Sequence, residues 1–111
     1  MRKFWRQGDI VFERVDDLAE WQIAELDKKP EGVLAVGGET GHLHTVQVSR
    51  LEAPSMLPGK EGYYTIQENE SALIQLDKET PVQHAEHATL LLPEGTYRVR
   101  HVGLPRRAMS D

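Results

Sequence analysis

Short alternating segments, each closed by a turn signal roughly ten residues after the last, constrain this chain more than any other feature of it. Side chains along a strand point to opposite faces in turn, so alternation marks a half-buried strand, and closely spaced glycine, proline and acidic turns leave no room for long helices. Asp9–Val15 places Ile10 and Phe12 on one side and Val11, Glu13 and Val15 on the other, just after the turn signal Gly8. Val33–Val36, stopped by Gly37-Gly38, reads as a short buried strand. His42–Leu51 alternates cleanly, with His42, His44, Val46 and Val48 on one face. Residues 53–62 hold two prolines and two glycines and read as a loop. Tyr63–Gln67 and Ala72–Leu76 flank the polar stretch 68–71 in a hairpin pattern, Thr80–Gln83 follows, and Thr89–Leu92 and Thr96–Val102 read as a last hairpin across Pro93-Glu94-Gly95. Only 17–29 has helical spacing, ended by Pro30 and Gly32. About eight strands at this spacing, with one short helix near residues 17–29, predict an all-β barrel or sandwich. The alternation puts Val46, Val48, Ile66, Ile74, Leu91, Tyr97 and Val99 in its core.

With 111 residues the expectation is a single β domain over 1–111. Without a cysteine, disulfides, thiolate metal sites and cysteine nucleophiles are excluded, and any metal must be held by histidine and oxygen ligands. The opening MRKFWRQGDIV has basic residues but no apolar run behind them, so no secretory signal is read there and a cytoplasmic location is expected. No apolar run approaches the roughly 20 residues of a membrane-spanning helix. The net charge of −5 is uneven: residues 1–6 and 98–111 each carry +3, leaving −11 between them. An acidic body argues against a general nucleic-acid binder, and phosphate contact through the basic ends stands only as an alternative. Arg98 and Arg100 at i, i+2 read as guards of an edge strand or as partners across an interface. A homodimer is expected, with head-to-body charge attraction contributing.

The histidines carry the chemistry. All five follow residue 41, and four form two compact pairs, His42-x-His44 and His84-x-x-His87. On a strand, H-x-H projects two imidazoles from one face at about 7 Å, within reach of one ion. For His84 and His87 to converge as well, the chain must bend near Ala85. Taken together, the pairs predict one metal site of His42, His44, His84 and His87, with Glu39 or Glu86 as the carboxylate that binds, orients a ligand or acts as a base on metal-bound water. Imidazole with carboxylate suits Zn, Fe, Ni or Mn and does not select among them. His101 reads as structural or exposed.

RQGDIVF at 6–12, GGETGHLHTV at 37–46 and HAEHATLLLPEGTYRV at 84–99 resemble a family of small uncharacterised bacterial and phage proteins with a QGD start, a GE-x-TGH-x-H motif and H-x-E-H followed by LP-x-G-x-Y-x-V. That resemblance implies that His42, His44, His84, Glu86 and His87 are the family's shared polar positions and implies no activity. Gly41-His42-Leu43-His44 is also similar to the histidine pair of cupins, which implies a cupin-like barrel, although the next acid after His44 is only Glu52. Two functions follow as expectations. One is a small metal-dependent hydrolase or oxygenase-like enzyme with Glu86 as base, which could take a small-molecule ligand; the other is a non-catalytic accessory or regulatory domain whose histidines are structural.

Overall fold

The computed structural model describes residues 3–16, 30–37 and 43–102. Within them the chain is all-β: β1 (Phe4–Gln7), β2 (Ile10–Arg14), β3 (Pro30–Gly37), β4 (Leu43–Glu52), β5 (Ser55–Met56), β6 (Tyr63–Thr65), β7 (Ser71–Leu76), β8 (Thr80–Gln83), β9 (Leu90–Leu92) and β10 (Gly95–His101). The helix expected at 17–29 lies outside the described residues, as do His42 and Glu39. No helix long and apolar enough to cross a membrane occurs among the described residues.

The strands form one mixed sheet in the order β1-β2-β10-β7-β4-β3-β6-β5, with β8 pairing β4 and β9. This path does not close, so the cupin-like barrel is replaced by an open sheet. β3 and β6 form a parallel pair, while the other ladders are antiparallel. The parallel approach is close because Gly32 carries no side chain: a Cβ there would stand 2.8 Å from the Tyr64 ring.

Alternation builds the core as expected on most strands. Ile10 and Phe12 of β2, Ala72, Ile74 and Leu76 of β7, and Tyr97 and Val99 of β10 are buried on one face. Trp5 meets Tyr97 edge to face, with ring centroids 5.4 Å apart, and the Tyr97 hydroxyl donates to the Pro93 carbonyl at 2.6 Å. β4 departs from strict alternation: His44, Val46 and Val48 are buried, then Leu51. The departure coincides with a change of partner, because the first half of β4 pairs β8 and its end pairs β7.

Four strand-level expectations are corrected. Tyr63–Gln67 and Ala72–Leu76 do not form a hairpin. The turn between them is fastened to β10 instead, where Asn69 N–H donates to the His101 carbonyl at 2.8 Å and His101 N–H to the Glu70 carbonyl at 3.4 Å. Thr89–Leu92 and Thr96–Val102 do not form one either: β9 pairs β8, whereas β10 lies between β2 and β7. Pro93 has no N–H for a ladder, and its carbonyl is held by Tyr97, so the chain turns a corner there. Strand β10 is therefore interior, and Arg98 and Arg100 do not guard an edge; both reach Glu13 of β2, at 3.7 and 3.3 Å. Finally, Leu91 is 54% exposed, because Leu92 takes the inward position opposite Thr80.

These burials predict a contrast measurable by urea denaturation. Ile74→Ala, at a fully buried position, should cost about 2–4 kcal/mol, whereas Leu91→Ala should stay within about 0.5 kcal/mol of the parent.

Candidate metal centre

The register of β4 against β8 assembles the site. Val46 pairs Val82 and Thr45 pairs Gln83. One step further the same register sets His44 level with His84, and the two ring centroids lie 4.2 Å apart. Beyond Gln83 the chain leaves the strand and bends through Ala85, Glu86 and His87 before β9 begins. The bend brings His87 back, its ring 4.5 Å from that of His84 and 5.5 Å from that of His44. Each of the three imidazoles offers a nitrogen within 4.8 Å of the other two. His44 is 3% exposed at the floor of the cluster, while His84 and His87 are half-buried above it.

The third contributor is the turn between β1 and β2. Gln7 and Ile10 are paired, so Gly8 and Asp9 form a two-residue hairpin loop. Gly8 has φ +59°, as the first central residue of a type II′ turn does. A Cβ at Gly8 would lie 2.9 Å from His87 Nε2 and 3.1 Å from His44 Cε1, so the two rings rest directly on its backbone. Arg6 Nε donates to the Gly8 carbonyl at 2.7 Å and holds the turn from behind.

Gln7 sets the chemistry of His44. Its side-chain nitrogen donates to the carbonyls of Val82 and Ala88 at 3.0 and 2.9 Å, at the two ends of the histidine-bearing connection. Two carbonyl acceptors assign the amide's orientation, leaving Gln7 Oε1 as the atom 2.9 Å from His44 Nδ1. Because that oxygen can only accept, the His44 proton sits on Nδ1. In the neutral ring, Nε2 therefore presents a lone pair.

Asp9 lies against that same nitrogen, Oδ1 at 3.3 Å from His44 Nε2, while its Oδ2 is 2.8 Å from His101 Nε2. Burial, followed by the neighbouring His84, pulls the His44 pKa down to about 4; Asp9 opposes the shift, and His87 adds to it. The imidazole is thus held neutral, as a metal ligand must be.

The donor set fits a transition-metal ion, with one adjustment. His84 Nδ1 accepts from the Glu86 backbone N–H at 3.0 Å, so ligation through that nitrogen would displace a hydrogen bond on an exposed bend. Of the residues expected at the site, the structure brings together His44, His84 and His87. Glu86 sits exposed on the same bend. His101 is partly buried and paired with Asp9. The sequence reading missed Gln7 and Asp9, although the QGD start already stood within the motif that carries the family resemblance.

Residues 6–102 match the family described as "Domain of unknown function (DUF8820)". No curated protein and no solved structure matches the chain.

The depressed His44 pKa predicts how the metal-free protein responds to acid. A histidine that titrates near 6.5 when unfolded and near 4 when folded binds more protons in the unfolded state between those values. Stability is therefore fully present above about pH 6.5 and falls as pH drops toward 4, by about 3 kcal/mol in all. Urea midpoints measured in chelator at pH 7 and pH 4.5 test this, and the His44→Gln variant should lose most of the difference. Gly8→Ala should destabilise by at least about 1 kcal/mol, since it combines a left-handed backbone with a 2.9 Å contact on His87.

Proposed function

The chain belongs to the DUF8820 family, and we propose that it is a metal-binding β-protein whose ion is held by His44, His84 and His87. The observation that carries the reading is the convergence of three imidazoles on a floor where Gln7 fixes the tautomer of the most buried one. A ligating histidine usually donates its other ring N–H to a fixed acceptor, which orients the ring and leaves the second nitrogen for the metal. His44 has that arrangement. A nitrogen-rich set suits Zn, Fe, Ni or Mn.

The half-buried positions of His84 and His87 leave the upper side of the cluster toward solvent. An ion there would face solvent on that side and could add a water by expanding its coordination, which supports use as a small metal-dependent hydrolase or oxygenase-like enzyme with Glu86 as base. A second reading has its own support. The ligands come from β4 and from the β8–β9 connection, so an ion also cross-links two segments distant in the chain, both already tied to β1 through Gln7, as in a structural or accessory binding domain.

Elemental analysis of the purified protein tests the shared premise. About one equivalent of transition metal is expected, and it should be lost in His44→Ala. Adding the ion at a hundredfold its Kd should stabilise the metal-free protein by about 2.7 kcal/mol, roughly 10 °C or more in Tm. A protein that takes up no Zn, Fe, Ni or Mn and whose Tm does not respond to them would overturn the reading. Glu86→Gln then divides the two uses: both keep the metal, and only the catalytic one loses turnover in a screen of ester, phosphoester and oxidation substrates.

A further inference from the structure

The geometry points to Asp9 as the carboxylate ligand of the His44–His84–His87 ion, with His101 as the residue that positions it. This inference rests on the metal-centre reading and goes beyond it by naming an oxygen ligand that the histidine motifs do not contain.

Two atoms that both carry lone pairs face each other here. Gln7 places the His44 proton on Nδ1, so neutral Nε2 is an acceptor, and a carboxylate oxygen is an acceptor as well. Yet His44 Nε2 and Asp9 Oδ1 are 3.3 Å apart, with side chains 3% and 13% exposed. A buried and a partly buried acceptor at that spacing repel unless a positive charge serves both. The spacing also has a meaning of its own. Two ligand atoms at about 2.0–2.1 Å from a tetrahedral ion are separated by about 3.3 Å, the edge of the tetrahedron.

The other end of the carboxylate is already committed. Asp9 Oδ2 accepts from His101 Nε2 at 2.8 Å, and His101 Nδ1 is buried with no hydrogen-bond partner. An orphaned lone pair costs less than an orphaned N–H, so the His101 proton belongs on Nε2 and points at Asp9. That leaves Oδ1 as the oxygen that faces His44. The backbone is pinned too, because Val102 N–H donates to the Asp9 carbonyl at 3.0 Å. Asp9 stands outside the set of imidazole nitrogens that gather within 4.8 Å of one another, so its Oδ1 must move toward His84 and His87 to share their ion; with one oxygen hydrogen-bonded and the other at a metal-ready nitrogen, it has the form of a positioned metal ligand.

Cobalt(II) serves as the probe, because its visible bands report the number and type of ligands. In the full-length protein, Asp9→Asn should weaken Co2+ binding by at least the roughly 10–100-fold that loss of an outer-shell partner costs and change the band pattern. His101→Gln, whose amide can still donate to Asp9, should weaken binding less than Asp9→Asn and keep the bands. In the wild-type protein, the Asp9 carboxylate 13C resonance should move when Zn2+ is added, a readout that needs no variant to fold. Co2+ binding by Asp9→Asn within twofold of wild type with the same spectrum, or a stationary Asp9 resonance in a protein that has taken up Zn2+, overturns the assignment and leaves the three-histidine reading standing. Wild-type protein that takes up no Co2+ overturns both.

Discussion

The side-chain amide of Gln7 is the interaction on which the histidine centre depends. It is 2% exposed and uses its two donors and its acceptor at once: the carbonyls of Val82 and Ala88 on one side, His44 Nδ1 on the other. A buried amide left short of partners costs about 1–3 kcal/mol, so the three bonds enforce one another. Their joint effect is to hold the β8–β9 connection over β4 at a fixed height and to present the lone pair of His44 Nε2 to the cluster. Without Gln7, the connection that carries His84 and His87 would lose its two anchors at the Val82 and Ala88 carbonyls.

The fold serves this arrangement by dividing β4 between two neighbours. Its end, from Arg50 to Glu52, runs beside β7 and belongs to the main core of Ile74, Tyr97 and Phe12. Its beginning runs beside β8, where the sheet continues into the site. The β1–β2 turn completes the floor because Gly8 admits two imidazoles against its backbone. Residues far apart in the chain, 7–9, 44, 84–87 and 101, meet where one strand changes partner.

What was legible in the sequence was what periodicity and residue type determine. Alternation at Val46 and Val48, at Ile74, and at Tyr97 and Val99 reports which face is buried, and all five are buried as expected. Pairing partners were not legible, since a turn signal says where the chain reverses and not which strand it meets next. The loop at 67–70 and the corner at Pro93 both look like hairpins in sequence, yet long-range bonds to His101 and Tyr97 direct them elsewhere. Leu91 failed for a related reason: in a run of three leucines, the pairing with β8 decides which ones face inward. The histidine cluster was visible because histidines are few and grouped in two short windows. Asp9 was not, because an aspartate after a glycine looks like ordinary turn chemistry until the sheet carries His44 and His101 to either side of it.

The central claim, that Gln7 fixes His44 with its proton on Nδ1 and Nε2 turned to an ion, is tested most directly by 15N–1H correlation through the ring protons of His44, in metal-free protein and after adding Zn2+. The account predicts a protonated Nδ1 in both states, with an unprotonated Nε2 whose 15N resonance shifts when the ion binds. A proton on Nε2 in the metal-free protein at neutral pH, or an Nε2 resonance that Zn2+ leaves in place, would contradict it.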